Sequence, residues 1–157
     1  MPSDPARETA LAAVKTALET IGTTSSFHAS RTPTVYRDER NAESLASGTI
    51  YFSGQEETLD RQQYAAVGAY LKTLTISGVY IEDYPSDDSS DEYRAKMAAD
   101  IEYALREWTL GGACSQLDVT GNATLALDAS DTSPQVGIEF TLVLQYRTRR
   151  DDPATKV

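Results

Sequence analysis

The chain has 157 residues, enough for one domain of ordinary size whose core needs no disulfide or metal ion. Its 24 acidic and 14 basic residues give a net charge of −10, which argues against a domain that grips nucleic acid by neutralising phosphates. The single cysteine, Cys114, excludes an internal disulfide and predicts a small buried side chain. Without a signal-peptide pattern or an apolar run of ~18 to 20 residues, we expect a soluble intracellular protein with no membrane contact.

The first predicted element is a helix from about Pro5 to Ile21. Asp4 is the expected N-cap, and Pro5 suits the first helical position because its missing N–H costs no hydrogen bond there. Gly22 is the expected C-terminal stop. Apolar side chains at three- and four-residue steps predict one buried stripe, made of Leu11, Val14, Leu18 and Ile21.

Three strands are predicted in the next part of the chain. Thr34 to Arg37 and Thr49 to Phe52 are short, and the polar stretch Ser53 to Gln63 is expected to be a loop that protrudes as a contact surface. Tyr70 to Tyr84 is rich in β-branched and aromatic residues, which favour a strand. Because Gly78 interrupts its alternation, we expect a bulge or bend there.

The second predicted helix runs from about Asp91 to Trp108. Ser89 and Glu92 have the spacing of a capping box, and Gly111 and Gly112 are expected to end the helix. Its expected buried face is made of Met97, Ile101, Leu105 and Trp108.

The last third predicts antiparallel strands at Gln116 to Thr120, Ala123 to Asp128 and Gln135 to Arg147. In the final strand, the side chains expected to face the core alternate with wetter ones: Val136, Ile138, Phe140, Leu142, Leu144 and Tyr146. We therefore predict one α+β domain over residues 1–147, a mostly antiparallel or mixed sheet with two main helices packed on it. Residues 148–157 are expected to be a flexible tail, either disordered or ordered against a partner.

The inventory of chemically active residues is thin. His28 is the only histidine, so a multi-histidine metal site or a second histidine base is impossible within one chain. It lies in a polar loop, and we expect it to be solvated. No phosphate-binding or dinucleotide-binding glycine motif is present. We predict no enzymatic activity, no catalytic residue and no cofactor.

An acidic cluster is the most conspicuous charge feature, and it consists of Glu82, Asp83, Asp87, Asp88, Asp91 and Glu92. A calcium-loop register that starts at Asp87 fails, because Glu92 falls where the turn glycine belongs and Ala98 where the bidentate glutamate belongs. Helix capping and a solvated loop account for most of the cluster. Binding of Ca²⁺ or Mg²⁺, as in a metal-dependent hydrolase, is the open alternative.

The one basic cluster follows the last predicted strand and consists of Arg147, Arg149 and Arg150. It is interpreted as a solvated strand end or as a docking point for an acidic neighbour, because arginine pairs bidentately with carboxylates.

The order of elements resembles the tail terminator family of long-tailed bacteriophages. The resemblance is carried by YLKTLTISGVYIEDY at Tyr70 to Tyr84, DEYRAKMAADIEYALREW at Asp91 to Trp108, LGG at Leu110 to Gly112, and VGIEFTLVLQYRT at Val136 to Thr148. These stretches cover roughly the C-terminal half, and none is a catalytic signature. Where such proteins often have a hydrophobic strand, this chain has a long polar stretch from Asp38 to Gln63.

The resemblance implies a virion protein, made in the host cytoplasm, that caps the head-proximal end of the tail tube as a hexameric ring. Its expected partners are itself, the major tail tube protein and the head connector, with DNA passing through the lumen without specific binding. The candidate interface residues are Glu56, Glu57, Arg61, Asp83, Asp87, Asp88, Arg147, Arg149 and Arg150. Another head–tail joining subunit, from the neck or tail-completion class, and an acidic DNA-mimic inhibitor are the alternatives.

Overall fold

The computed structural model describes residues 5–37, 47–60, 69–83, 89–125 and 135–149. Within these ranges the chain forms two helices and five strands: α1 (Ala6–Leu18), β1 (Thr34–Tyr36), β2 (Thr49–Asp60), β3 (Ala69–Asp83), α2 (Ser90–Ala104), β4 (Gln116–Thr124) and β5 (Gln135–Arg149). The strands form one mixed sheet, so the predicted α+β class is confirmed. No helix in this described part is long and apolar enough to cross a membrane.

The five strands lie in the order β1-β2-β3-β5-β4. Only β1 and β2 are parallel, and the other three pairings are antiparallel. The centre is the β3–β5 pair, whose register runs without a shift from Ala69 opposite Arg149 to Asp83 opposite Gln135. Two long strands rich in β-branched and aromatic residues therefore form the centre of the sheet.

Both helices pack on one side of the sheet, and the core lies between them. The predicted alternation of β5 is confirmed, because the six side chains that Val136 to Tyr146 direct to this side are all 3% exposed or less. The predicted stripe of α1 is confirmed as well, since its four apolar residues are buried against the same cluster. We call this side of the sheet the helix-covered face.

The predicted bulge at Gly78 is wrong. The strand β3 pairs through Gly78 with Phe52 and Phe140 without a break in register. The ring of Phe140 occupies the space where a Cβ atom on residue 78 would lie. Here glycine makes room for an aromatic ring and does not bend the strand. The bulge occurs in β2, between Gly54 and Glu56.

The predicted contact loop after Phe52 is also wrong over its described part, since β2 continues to Asp60. Its polar residues keep the antiparallel pairing with β3 down to Asp60 opposite Leu71. Backbone pairing along a long partner strand outweighs the weak strand preference of polar side chains. Residues 61–63 of the predicted loop lie outside the described ranges.

The helix ends agree only in part with the prediction. Ser89 caps α2 as expected, its Oγ accepting the Glu92 N–H at 3.2 Å, but α2 ends at Ala104. Met97, Ile101 and Leu105 are buried, whereas Trp108 is 61% exposed, so its assignment to the core was wrong. It lies beyond the end of the regular helix, so the helical period no longer places it over the core.

The start of α1 differs from the prediction as well. Its N-cap is Pro5, with no side-chain capping hydrogen bond, and Asp4 lies outside the described residues. The helix ends at Leu18, and turns follow up to Gly22, whose φ of 77° fits the predicted stop.

The final strands are longer than predicted. Where two short strands were expected, β4 is a single strand with an irregularity between Val119 and Gly121, and residues 126–128 of the second predicted strand lie outside the described ranges. The strand β5 continues past Arg147, and Thr148 is fully buried. Residues 150–157 of the predicted tail lie outside the described ranges.

Candidate interaction surfaces

The predicted interface residues do not form one site. Asp83 pairs with Gln135 at one end of the central β3–β5 ribbon, and Arg147 pairs with Leu71 at the other. The two ends are twelve residues apart along β3, or about 40 Å at the rise of an extended strand. Four more of the predicted residues lie outside the described ranges: Arg61, Asp87, Asp88 and Arg150. Arg149 is the last residue of β5.

Glu57, another of the predicted contact residues, is exposed but also forms several bonds within the domain. The β2 bulge turns it to the helix-covered face, opposite Leu74, where it accepts a hydrogen bond from the Tyr146 hydroxyl. Lys72 Nζ lies 3.8 Å from Oε1, and Arg7 Nη1 lies 4.0 Å from Oε2. Burial raises the pKa of Tyr146, and its bond to Glu57 raises it further. The carboxylate therefore ties β2, β3, β5 and α1 together.

Glu56 and Asp83 remain exposed, as a contact role requires. Glu56 lies opposite Thr75 and is on the other side of the sheet from Glu57, because neighbouring strand residues point to opposite faces. The residue Arg147 is half-buried on β5.

The sequence suggested that Glu82 belongs to a solvated acidic cluster, but this is wrong. It is 5% exposed and lies on the helix-covered face near the end of β3. Its carboxylate accepts hydrogen bonds from Arg31 Nη2 at 3.0 Å and from the Tyr80 hydroxyl at 3.2 Å. Burial raises the pKa of Tyr80, and the negative charge of Glu82 adds to the effect. The hydrogen bond between Arg31 and Glu82 raises the pKa of Arg31.

Asp100 is a buried acid that the sequence did not single out. It is 2% exposed on α2, and its two oxygens accept the backbone N–H groups of His28 and Ala29, both at 2.8 Å. Its position between Met97 and Ile101 on the apolar stripe was the available signal. This acid anchors the loop after α1. The His28 ring itself plays no part in these bonds, and the residue is exposed as predicted.

Two smaller predictions concern metals and cysteine. Within the described ranges, no group of three or more His, Cys, Asp and Glu side chains is placed to hold a metal ion. Cys114 is 3% exposed and packs in the core, so its predicted burial is confirmed.

The face opposite the helices carries a polar surface that we call the open face. It consists of Ser53, Glu56, Thr75, Ser77, Asp118, Glu139, Thr141 and Val143. All eight residues are exposed or half-buried, and neither α1 nor α2 covers them. At one end, Tyr51 stacks on Tyr36 with ring centroids 5.2 Å apart. The open face combines hydroxyl groups with three carboxylates, and the half-buried Arg147, further along β5, lies on the same side of the sheet.

The helical layer contains a cleft between α1 and the α2–β4 connection. It has a volume of about 690 Å³, and its lining is mostly apolar. The residues around it are Ala13, Thr16, Ala17, Thr20, Ala104, Arg106, Glu107, Leu110 and Gly111. The exposed Trp108 lies between two of these lining residues in sequence. The open face and this cleft are two described surfaces suited to contact with another molecule.

Comparison with known proteins does not add to this description. No protein-family model and no curated protein matches the chain. The likeness to tail terminators therefore depends on the sequence pattern alone and enters below as a proposal.

Proposed function

We propose that the chain is a non-enzymatic structural subunit of a phage virion, of the tail terminator type. In this proposal it caps the head-proximal end of the tail tube as a hexameric ring, stops polymerisation of the tube and provides the surface to which the head connector attaches. The observation that carries the proposal is the open face, a broad polar sheet surface that the two helices leave uncovered.

A domain with one sheet and one helical layer suits a ring subunit. The helices supply the core on one side, so the open face on the other side of the sheet is available for contacts or for the lumen. A ring needs two dissimilar contact surfaces on each subunit, because the contacts run head to tail. The two edges of this sheet differ: β1 pairs in parallel with β2, whereas β4 pairs antiparallel with β5.

The charge of the open face fits a surface beside DNA in transit. Its three carboxylates, at Glu56, Asp118 and Glu139, belong to a chain with a net charge of −10. Phosphates are repelled by such a surface, so the nucleic acid would pass without adhering. We place the open face toward the lumen of the proposed ring. A structure of the assembled ring with a basic lumen would contradict this placement.

The test of the function is deletion of the gene in the phage that encodes it. The expected particles carry tails of uncontrolled length, or tails that do not join heads, and a plasmid copy of the wild-type gene restores normal virions. Electron microscopy of the lysate measures both effects. Tails of normal length, joined to heads, in the deletion strain would refute the role.

The same experiment separates the nearest alternative, another neck or tail-completion subunit. Loss of such a subunit would leave tails of normal length that lack heads. A DNA-mimic inhibitor is less well supported, because such a mimic needs its acids on the surface, and Glu82 and Asp100 are buried inside the domain. An inhibitor would also be dispensable for particle assembly.

A further inference from the structure

We propose that the cleft in the helical layer binds Trp108 of a second copy of this chain, so that two copies associate about a two-fold axis. The proposal concerns the helical layer, away from the open face, and does not depend on ring formation or on the tail terminator function.

The first observation is that an ordered turn holds Trp108 in solvent. Around it, the Leu110 N–H donates to the Glu107 carbonyl at 3.0 Å, and the Gly112 N–H donates to the Thr109 carbonyl at 2.9 Å. The Glu107 side chain accepts the Gly111 N–H at 3.0 Å. Leu110 has a φ of 48°, which is unfavourable for a non-glycine residue. This backbone is specified by several bonds, so the exposure of Trp108 is a property of the fold.

The second observation is a mostly apolar cleft that Glu107 and Leu110, on either side of Trp108 in sequence, help to line. Three alanines, Ala13, Ala17 and Ala104, leave the cleft wide, and Leu110 gives it an apolar wall. Its volume of about 690 Å³ leaves ample room for an indole ring. Tryptophan is enriched at the centres of protein interfaces, because its ring buries a large apolar area and is held by few rotatable bonds.

The third observation is the proximity of the two features. Trp108 lies between Glu107 and Leu110, which both line the cleft, so the projecting ring and the cavity belong to one surface patch. When a patch contains both a projection and its cavity, two copies related by a two-fold axis can fill each other's cavities, and the contact closes at a dimer.

The charges at the rim of the cleft favour the same occupant. Arg106 and Glu107 are adjacent, exposed and opposite in charge, and Arg106 also donates to the Tyr103 carbonyl at 2.7 Å. A two-fold axis through the patch can bring Arg106 of one copy near Glu107 of the other, so the contact forces no like charges together. The patch therefore offers a second copy an apolar cleft together with charges of both signs.

Trp108 is the only tryptophan of the chain, so its fluorescence reports on the contact directly. Sedimentation equilibrium should show a monomer–dimer equilibrium, and the emission should move to shorter wavelengths as the concentration rises. The blocking variant is Thr16→Arg, which places a long charged side chain on the exposed rim of the cleft. The matched control is Thr9→Arg, the same change at an exposed position of α1 that does not line the cleft.

We expect Thr16→Arg and Trp108→Ala to weaken dimerisation at least about tenfold and Thr9→Arg to leave it unchanged, with equal helix content by circular dichroism. A wild-type chain that stays monomeric up to about 1 mM would overturn the proposal. An oligomer that Thr16→Arg does not affect, and whose tryptophan emission stays that of a solvated ring, would also overturn it. That second outcome would leave the ring proposal intact.

Discussion

The guanidinium of Arg31 donates a hydrogen bond of 3.0 Å to the carboxylate of Glu82, which lies 51 residues further along the chain. The pair is asymmetric, because the Glu82 side chain is 6% exposed and the Arg31 side chain is 56% exposed. The exposed Arg31 thus compensates the buried charge of Glu82 near the end of β3. It also connects the loop after α1 to the sheet.

We expect Arg31→Met to destabilise the protein by about 1 to 2 kcal/mol, since it leaves a buried carboxylate with one hydrogen-bond donor fewer. The figure lies below that for removing a partner from a fully buried pair, because solvent already screens the arginine. Urea unfolding gives the value. As the control, Lys15→Met removes the exposed Lys15–Glu19 pair and should cost less than about 0.5 kcal/mol. Equal losses for the two variants would contradict the role of Glu82 burial.

Asp100→Ala removes both acceptors that hold the loop after α1. We expect a loss of about 3 kcal/mol, because two charge-assisted hydrogen bonds disappear and two backbone N–H groups lose their partner. Hydrogen exchange of the His28 and Ala29 amides should also become faster. Glu102→Gln, on the exposed side of the same helix, is the control and should change neither quantity. Unchanged exchange at both amides in the Asp100 variant would disprove the anchor.

Gly78→Ala tests the close contact between Gly78 and the ring of Phe140. A methyl group at this position overlaps the ring, so we expect a loss of about 2 kcal/mol from overpacking. In a protein that also carries Phe140→Leu, Gly78→Ala should cause a smaller loss of stability than it does alone. A double-mutant cycle measures this difference. In contrast, Gly121→Ala meets no atom within 4 Å and should change stability little. The idea fails if both glycine variants lose the same stability.

Tyr80 and Tyr146 predict how stability depends on alkaline pH. The fold raises the pKa of both phenols, so it favours their neutral form. Their contribution is present below the pKa of an unfolded tyrosine, about 10, and is lost as the pH rises above it. Unfolding at a series of pH values from neutral to strongly alkaline should show this decline. Tyr80→Phe should make it shallower, and an unchanged slope in this variant would argue against the assignment.

The β5 strand and the α2 cap show how much of the fold could be predicted. Strict alternation from Val136 to Tyr146 identified the buried face, and the Ser89–Glu92 spacing identified the helix start, because both patterns depend on residues close in sequence. The prediction failed at Gly78 and Trp108, where it depended on one residue type without its neighbours in space. The Phe140 ring on β5 packs against Gly78, and Trp108 is exposed because α2 ends before it.

The candidate surfaces were harder to predict than the fold. Glu56 and Glu57 look alike in the sequence, yet they point to opposite faces of the sheet, and the bulge before them decides which of the two faces the helices. Glu82 was grouped with solvated acids, although a distant arginine and a tyrosine keep it buried. Net charge and local composition do not distinguish acidic side chains on the surface from those that form hydrogen bonds inside the domain.

The sequence by itself determined the α+β class, the buried stripes of α1 and β5 and the excess of negative charge, because these follow from composition and from periodicities of two and 3.6 residues. Only the tertiary structure decided the pairing of Arg31 with Glu82, the anchoring role of Asp100 and the position of the cleft beside Trp108. Each of these joins residues far apart in the chain. Their proximity is set by strand register and helix packing, which no local pattern encodes.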